Sequence, residues 1–302
     1  MQPALNMCSE LKRVTLLSLA LCIAAGLSSS YRAQGLTLAA PVYEGFAEVP
    51  GAHIWYEDTG GQGIPVIFLH AASGSSRNWD GQFPAFKAAG YRCIAYDRRG
   101  WGRSVSVPGG PQPGTAADDL QGLVEYLRID RFHMVATAAG SSVALDYALS
   151  FPRRVRSLVV ANAAVGQLED ERYQQLTRSS RSPQIDALPV YLRELGPSYR
   201  AEYPEGTGRW IALNEMSQPN GPPASPQTAR NHLTVSSLQS LKLPLLMMTG
   251  DADLLAPPPF VRFFTERLKG IQSLIIPEAG HSAYWERPEI FNRAVLDFIR
   301  KH

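Results

Sequence analysis

Cysteine is almost missing from this chain: 302 residues contain three, at Cys8, Cys22 and Cys93. The first two fall in an N-terminal stretch that reads as a removable leader, so Cys93 is left without an intramolecular partner. No disulfide can brace the fold, and stability must come from a packed core. Charge of one sign is also lacking, with 29 basic against 27 acidic residues. A cut after Ala33 removes Lys12, Arg13 and Arg32 against Glu10, which leaves 26 of each and excludes a charge-driven nucleic-acid partner. No Cys/His cluster has metal-ligand spacing, and neither a phosphate loop nor a dinucleotide fingerprint occurs. The sequence therefore implies no metal and no cofactor.

Long apolar runs are absent too. Lys12 and Arg13 precede an apolar stretch from Val14 to Leu27, and Ser28, Ser29, Ser30 and Ala33 supply small residues for cleavage. About fourteen apolar residues fall short of the ~20 that a spanning helix needs, so residues 1–33 read as a signal peptide. An uncleaved anchor is the competing reading. A lipoprotein box at Leu-Ala-Leu-Cys22 is a lesser one, because Leu21 is bulky for the position before the cysteine. The expectation is an exported protein, periplasmic or secreted, with no stable membrane insertion once the leader is gone. Oligomeric state leaves no mark in the sequence.

What remains is about 270 residues, enough for one large α/β domain with an insertion. Residues 46–49 and 53–57 predict an antiparallel hairpin around Pro50-Gly51. Apolar runs at 66–69, 93–96, 133–135, 158–160, 245–248 and 274–276 predict buried strands of a mostly parallel, eight-stranded sheet with helices on both faces. Leu120, Leu123, Val124 and Leu127 recur at helical spacing after Thr115, a plausible N-cap, and Phe291, Val295, Phe298 and Ile299 do the same near the C-terminus. The alternation breaks at 166–238, where prolines such as Pro183, Pro189, Pro197 and Pro204 alternate with Tyr173, Tyr191, Tyr199 and Trp210. We read 34–165 and 239–302 as the core and 166–238 as a helical cap, with a loose loop over 218–226.

Five segments carry the chemistry. His70-Ala71-Ala72 follows the third strand, and Asp97-Arg98-Arg99-Gly100-Trp101-Gly102-Arg103-Ser104 follows the fourth. Ala136-Thr137-Ala138-Ala139-Gly140 joins a strand to a helix, and Gly250-Asp251-Ala252-Asp253 and Gly280-His281-Ser282 each follow a later strand. In this order they resemble the α/β-hydrolase fold family, over nearly the whole mature chain. The resemblance implies a nucleophile elbow with Ala136 and Gly140 as its small flanks, in which Ala138 stands where the family places serine. It implies Asp253 as acid, with Asp251 as the second choice, and His281 as base. The oxyanion hole would use the backbone N–H groups of Ala72 and Ala139. The family usually has glycine where this chain has Ala71. Asp97 and Ser104 would serve architecture. Ser141 and Ser142 are expected to open the helix with hydroxyls turned away from His281, and Thr137 to face elsewhere.

Without an attacking oxygen no acyl-enzyme can form. Three readings follow: a hydrolase of a small ester, lactone or related acyl or carbon–carbon bond silenced at one residue; a non-catalytic small-molecule binding protein using the same pocket; or weak hydrolysis by water activated on His281. Trp101, Tyr284 and Trp285, and beyond them Trp79 and Trp210, are candidates for the wall that meets the small-molecule substrate or ligand.

Overall fold

Strands built from apolar runs need both faces covered, and this chain covers them with helices. The computed structural model describes residues 43–107, 114–165, 168, 170–218 and 226–302. The predicted leader, 1–33, lies outside them. The nine strands are β1 (Tyr43–Val49), β2 (Ala52–Asp58), β3 (Pro65–Leu69), β4 (Arg92–Tyr96), β5 (Val105–Ser106), β6 (Phe132–Thr137), β7 (Val155–Ala161), β8 (Leu245–Gly250) and β9 (Gln272–Ile276). Their order is β1-β2-β4-β3-β6-β7-β8-β9, with β5 paired to β2. All eight predicted strands are present. β5 is an addition: a two-residue edge strand whose serine and exposed valine leave no hydrophobic pattern to read.

β1 and β2 pair antiparallel with Val49 opposite Ala52, and Gly51, at φ 79°, supplies the left-handed residue of their turn. From β4 to β9 the pairing is parallel. The order of connection reverses between β3 and β6, so the crevice beyond their carboxyl ends is where an open α/β sheet binds ligands. β6 and β8 are buried at every position.

Strand alternation divides the core into two layers. Ile67, Leu69, Met134 and Met247 face α2 (Ala116–Tyr126), α3 (Ala139–Ser150) and α10 (Pro258–Arg267). Val66, Phe68, Val135 and Met248 face α1 (Phe83–Ala88) and α12 (Pro288–Ile299). Thr115 caps α2 by accepting from Asp118 N at 3.1 Å. Between β7 and β8 lie α4 (Glu171–Ser180), α5 (Pro183–Asp186), α6 (Val190–Glu194), α7 (Pro197–Glu202), α8 (Pro204–Ser217) and α9 (Val235–Ser240). Proline sits at the N-terminal turn of α5, α7 and α8, where its missing N–H has no bond to lose. α9 runs past the predicted cap boundary at 238. Of the expected loop at 218–226, residues 219–225 lie outside the described set. α11 (Ala283–Glu286) follows β9. No helix among the described residues is long and apolar enough to cross a membrane.

Phe68 is fully buried on β3, with Trp79, Phe83 and Phe86 rings centred 5.1 to 5.6 Å away. Phe68→Ala is expected to lower unfolding free energy by about 3–5 kcal/mol through lost burial and a cavity, read as a lower urea midpoint at unchanged slope. A loss below about 1 kcal/mol would mean that the layer is not packed as described.

Candidate active site

The turn from β6 into α3 places Ala138 at φ 47° and ψ −119°, a conformation that residues with a side chain rarely adopt. Such geometry costs on the order of 1–3 kcal/mol and persists only where its surroundings enforce it. Here they do. Ala138 N donates to Ala161 O on β7 at 2.9 Å, and Ala138 O accepts from Ser141 N at 3.0 Å. Gly140 lies so close to β3 that an added Cβ would stand 2.5 Å from Leu69 O and 2.7 Å from His70 O. Ala136 is fully buried beneath the turn. The result is a sharp elbow that lifts the 138 side chain above the sheet.

Ala72 and Ala139 line the same cavity as Ala138. Ala139 opens α3, so its N–H has no partner within the helix. Ala72 N has no acceptor among the described residues, while Ala72 O accepts from Trp101 Nε1 at 2.7 Å. His70 anchors the start of this loop from a fully buried position. Its Nδ1 bonds Ala71 O at 2.6 Å and its Nε2 accepts from Arg98 N at 3.0 Å. Burial, reinforced by Arg98, holds the His70 pKa well below the usual imidazole range, which keeps it neutral in that tautomer. Asp97 ties the end of the loop to the next strand, accepting from Ser76 N at 2.7 Å and from Arg103 N at 2.8 Å. Ser104 Oγ donates to Asp97 O at 2.6 Å. Ala71 is buried without a left-handed backbone, so the loop has no need of glycine there.

Across the crevice, His281 Nδ1 lies 2.9 Å from both carboxylate oxygens of Asp253. Asp253 also accepts from Leu255 N, Ala256 N and Thr249 Oγ1 at 2.8 to 2.9 Å, and from Asn162 Nδ2 at 3.1 Å. Burial pushes this carboxyl upward, but His281 and those donors overcome it and hold the pKa below the usual range. Burial likewise opposes charge on His281; the carboxylates of Asp253, Glu194 and Glu286 prevail and raise it to about 9. Asp251 is exposed and is not the partner.

Ala72, Ala138, Ala139, Asn162 and His281 line one cavity of about 500 Å³, together with Arg181, Val190, Arg193, Glu194 and Asn214 from the segment between β7 and β8. That segment is stitched to the site: Ser282 N donates to Glu194 O at 2.9 Å, and Asn214 Nδ2 to Ser73 O at 2.8 Å. Ser141 behaves as expected, with Oγ 3.4 Å from Ala161 O. Ser142, one residue further round the helix, lines the cavity.

The aromatic assignments need correction, because none of Trp101, Tyr284 and Trp285 lines the cavity. The Trp101 indole is committed to Ala72 O with Arg98 stacked 4.4 Å above it. Tyr284 is buried with its ring 4.7 Å from that of Trp79, and Trp285 packs against Leu195, Tyr199 and Trp210. Polar residues were missed instead, among them Asn162, Arg193 and Glu194. These three carry no motif, and only the left-handed backbone at Asn162 (φ 49°), just after β7, sets one of them apart.

Because folding favours the imidazolium, the contribution of His281 to stability is complete below its unfolded pKa of about 6.5 and is lost as pH rises to about 9. Asp253→Asn should move the His281 titration downward by more than about one unit, followed by imidazole NMR. An unmoved titration would break the assigned pair. Gly140→Ala should destabilise by at least about 1 kcal/mol, since backbone carbonyls cannot swing aside, and an unchanged melting temperature would refute the close approach.

Residues 64–288 match the family model described as the alpha/beta hydrolase fold. A protein named as a non-heme bromoperoxidase, BpoC, from Mycobacterium tuberculosis is 31% identical over 80% of this chain and 96% of its own length. A protein named as a carbamate hydrolase, RutD, from Caulobacter is 29% identical over 78% of this chain and 90% of its own length. Among solved structures, an esterase from Thermogutta terrifontis superposes with a TM-score of 0.68 at 23% identity, covering 86% of this chain and 98% of that one, a likeness of fold alone. Both the elbow-bearing sheet and the match across most of its length lead to one statement: this chain belongs to the α/β-hydrolase fold family.

Proposed function

We propose that this cavity takes a small acyl compound, an ester, lactone, carbamate or related substrate, and that the chain is a serine-type hydrolase scaffold silenced at one position. One observation carries the reading: the strained backbone at Ala138 is kept although alanine gains nothing from it. An ester carbonyl seated above Ala138 would point its oxygen at the N–H groups of Ala72 and Ala139. A hydroxyl on the 138 Cβ would attack the carbonyl carbon while His281 Nε2 takes its proton, with Asp253 fixing the tautomer through Nδ1. Alanine removes the first of these parts and leaves the rest. Loss of the nucleophile in such a site costs on the order of 10⁶ in turnover, with binding retained.

The charge on His281 favours a second reading beside the first. At neutral pH the group raised to about 9 is an imidazolium, a hydrogen-bond donor in place of a base, with its charge met by Asp253 and Glu194. A pocket with that donor and two backbone N–H groups suits a small-molecule binding protein whose ligand accepts hydrogen bonds. The leader-like residues 1–33 support export for either. The two readings separate in the Ala138→Ser variant. If the scaffold is a silenced hydrolase, 4-nitrophenyl acetate turnover should rise by at least ~10³ over the unaltered chain. That activity should climb about tenfold per pH unit through neutrality and level near 9 as His281 loses its proton. No gain at any pH would favour the binding protein.

A further inference from the structure

The cavity has a second charged pole. Arg193 and Arg181 both line it, and they share one carboxylate, Asp186. Arg181 Nε donates to Asp186 Oδ1 at 3.0 Å, whereas Arg193 Nη1 stands 3.8 Å from the same oxygen, too far for a hydrogen bond. Arg193 Nε is buried with no hydrogen-bond partner. A buried donor without an acceptor carries a desolvation penalty that a bound acceptor relieves. Two guanidinium groups against one carboxylate also leave this wall net positive. Glu194, the next residue, belongs to the opposite pole, with its carboxylate 3.4 Å from Ser282 Oγ beside His281.

We propose that Arg193 sets the specificity of this cavity, and that its ligand is an acyl compound bearing a carboxylate at the end remote from the ester carbonyl. The inference rests on the reading of the cavity as an acyl-binding site. The carbonyl lies over Ala138 between the two backbone donors, and the distal carboxylate reaches the guanidinium, whose planar fork matches it with two parallel N–H donors. A cavity of about 500 Å³ accommodates a short chain between the two poles.

The test uses the chain with Ala138 in place, so it does not depend on restoring catalysis. Monomethyl glutarate and methyl pentanoate are nearly equal in size and differ in the distal carboxylate. By titration calorimetry at pH 7, the unaltered chain should bind the anionic ester at least about tenfold more tightly. Arg193→Gln should erase the difference, and Arg193→Lys should keep part of it because the charge remains while the fork is lost. Equal affinities, or no binding of either ester, would overturn the proposal. So would a preference that survives Arg193→Gln, which would place the carboxylate against Arg181 or His281 instead. Failure of Ala138→Ser to hydrolyse esters would count against the hydrolase reading and leave this result standing.

Discussion

The site depends on the close approach of Gly140 to the end of β3. With no side chain at 140, the carbonyls of Leu69 and His70 can lie against the first turn of α3, which draws the loop after β3 beside the elbow after β6. That contact brings Ala72 and Ala139 to one cavity, beside the left-handed backbone at Ala138. The strain there follows from neighbours that have no alternative arrangement. The same reversal of strand order between β3 and β6 opens the crevice that the cavity occupies.

Electrostatics then decides what the cavity can do. His281 faces three carboxylates, from β8's following loop (Asp253), from α6 (Glu194) and from α11 (Glu286). Glu286 itself is raised to about 7 by burial, although Gly280 N and Gly196 N donate to it. The same set favours the charged imidazole near neutral pH, so His281 is free to accept a proton only in alkali.

Six strands were legible because they carry unbroken apolar runs, and the opening hairpin because Pro50-Gly51 marks its turn. The site was legible where motif and strand end coincide: Ala138, Ala139, Ala72 and His281 line one cavity, and Asp253 is hydrogen-bonded to His281. The aromatic wall was not. Trp101, Tyr284 and Trp285 lie close in sequence to site residues, but large rings near a sheet edge gain most by packing, and these pack. The polar wall comes from α6 and from Asn162, whose positions depend on contacts between distant segments, such as Gly196 against Gly280, that no local pattern encodes.

The central claim is that the elbow, oxyanion donors and His281–Asp253 pair form a complete site lacking only the attacking oxygen. It is tested most directly by treating the unaltered chain and Ala138→Ser with a fluorophosphonate and mapping the adduct by mass spectrometry. The account predicts a single adduct on residue 138 of the variant, lost when His281→Ala is added, and no adduct on the unaltered chain. An adduct on Ser141 or Ser142 of the unaltered chain, or none on the variant, would contradict it.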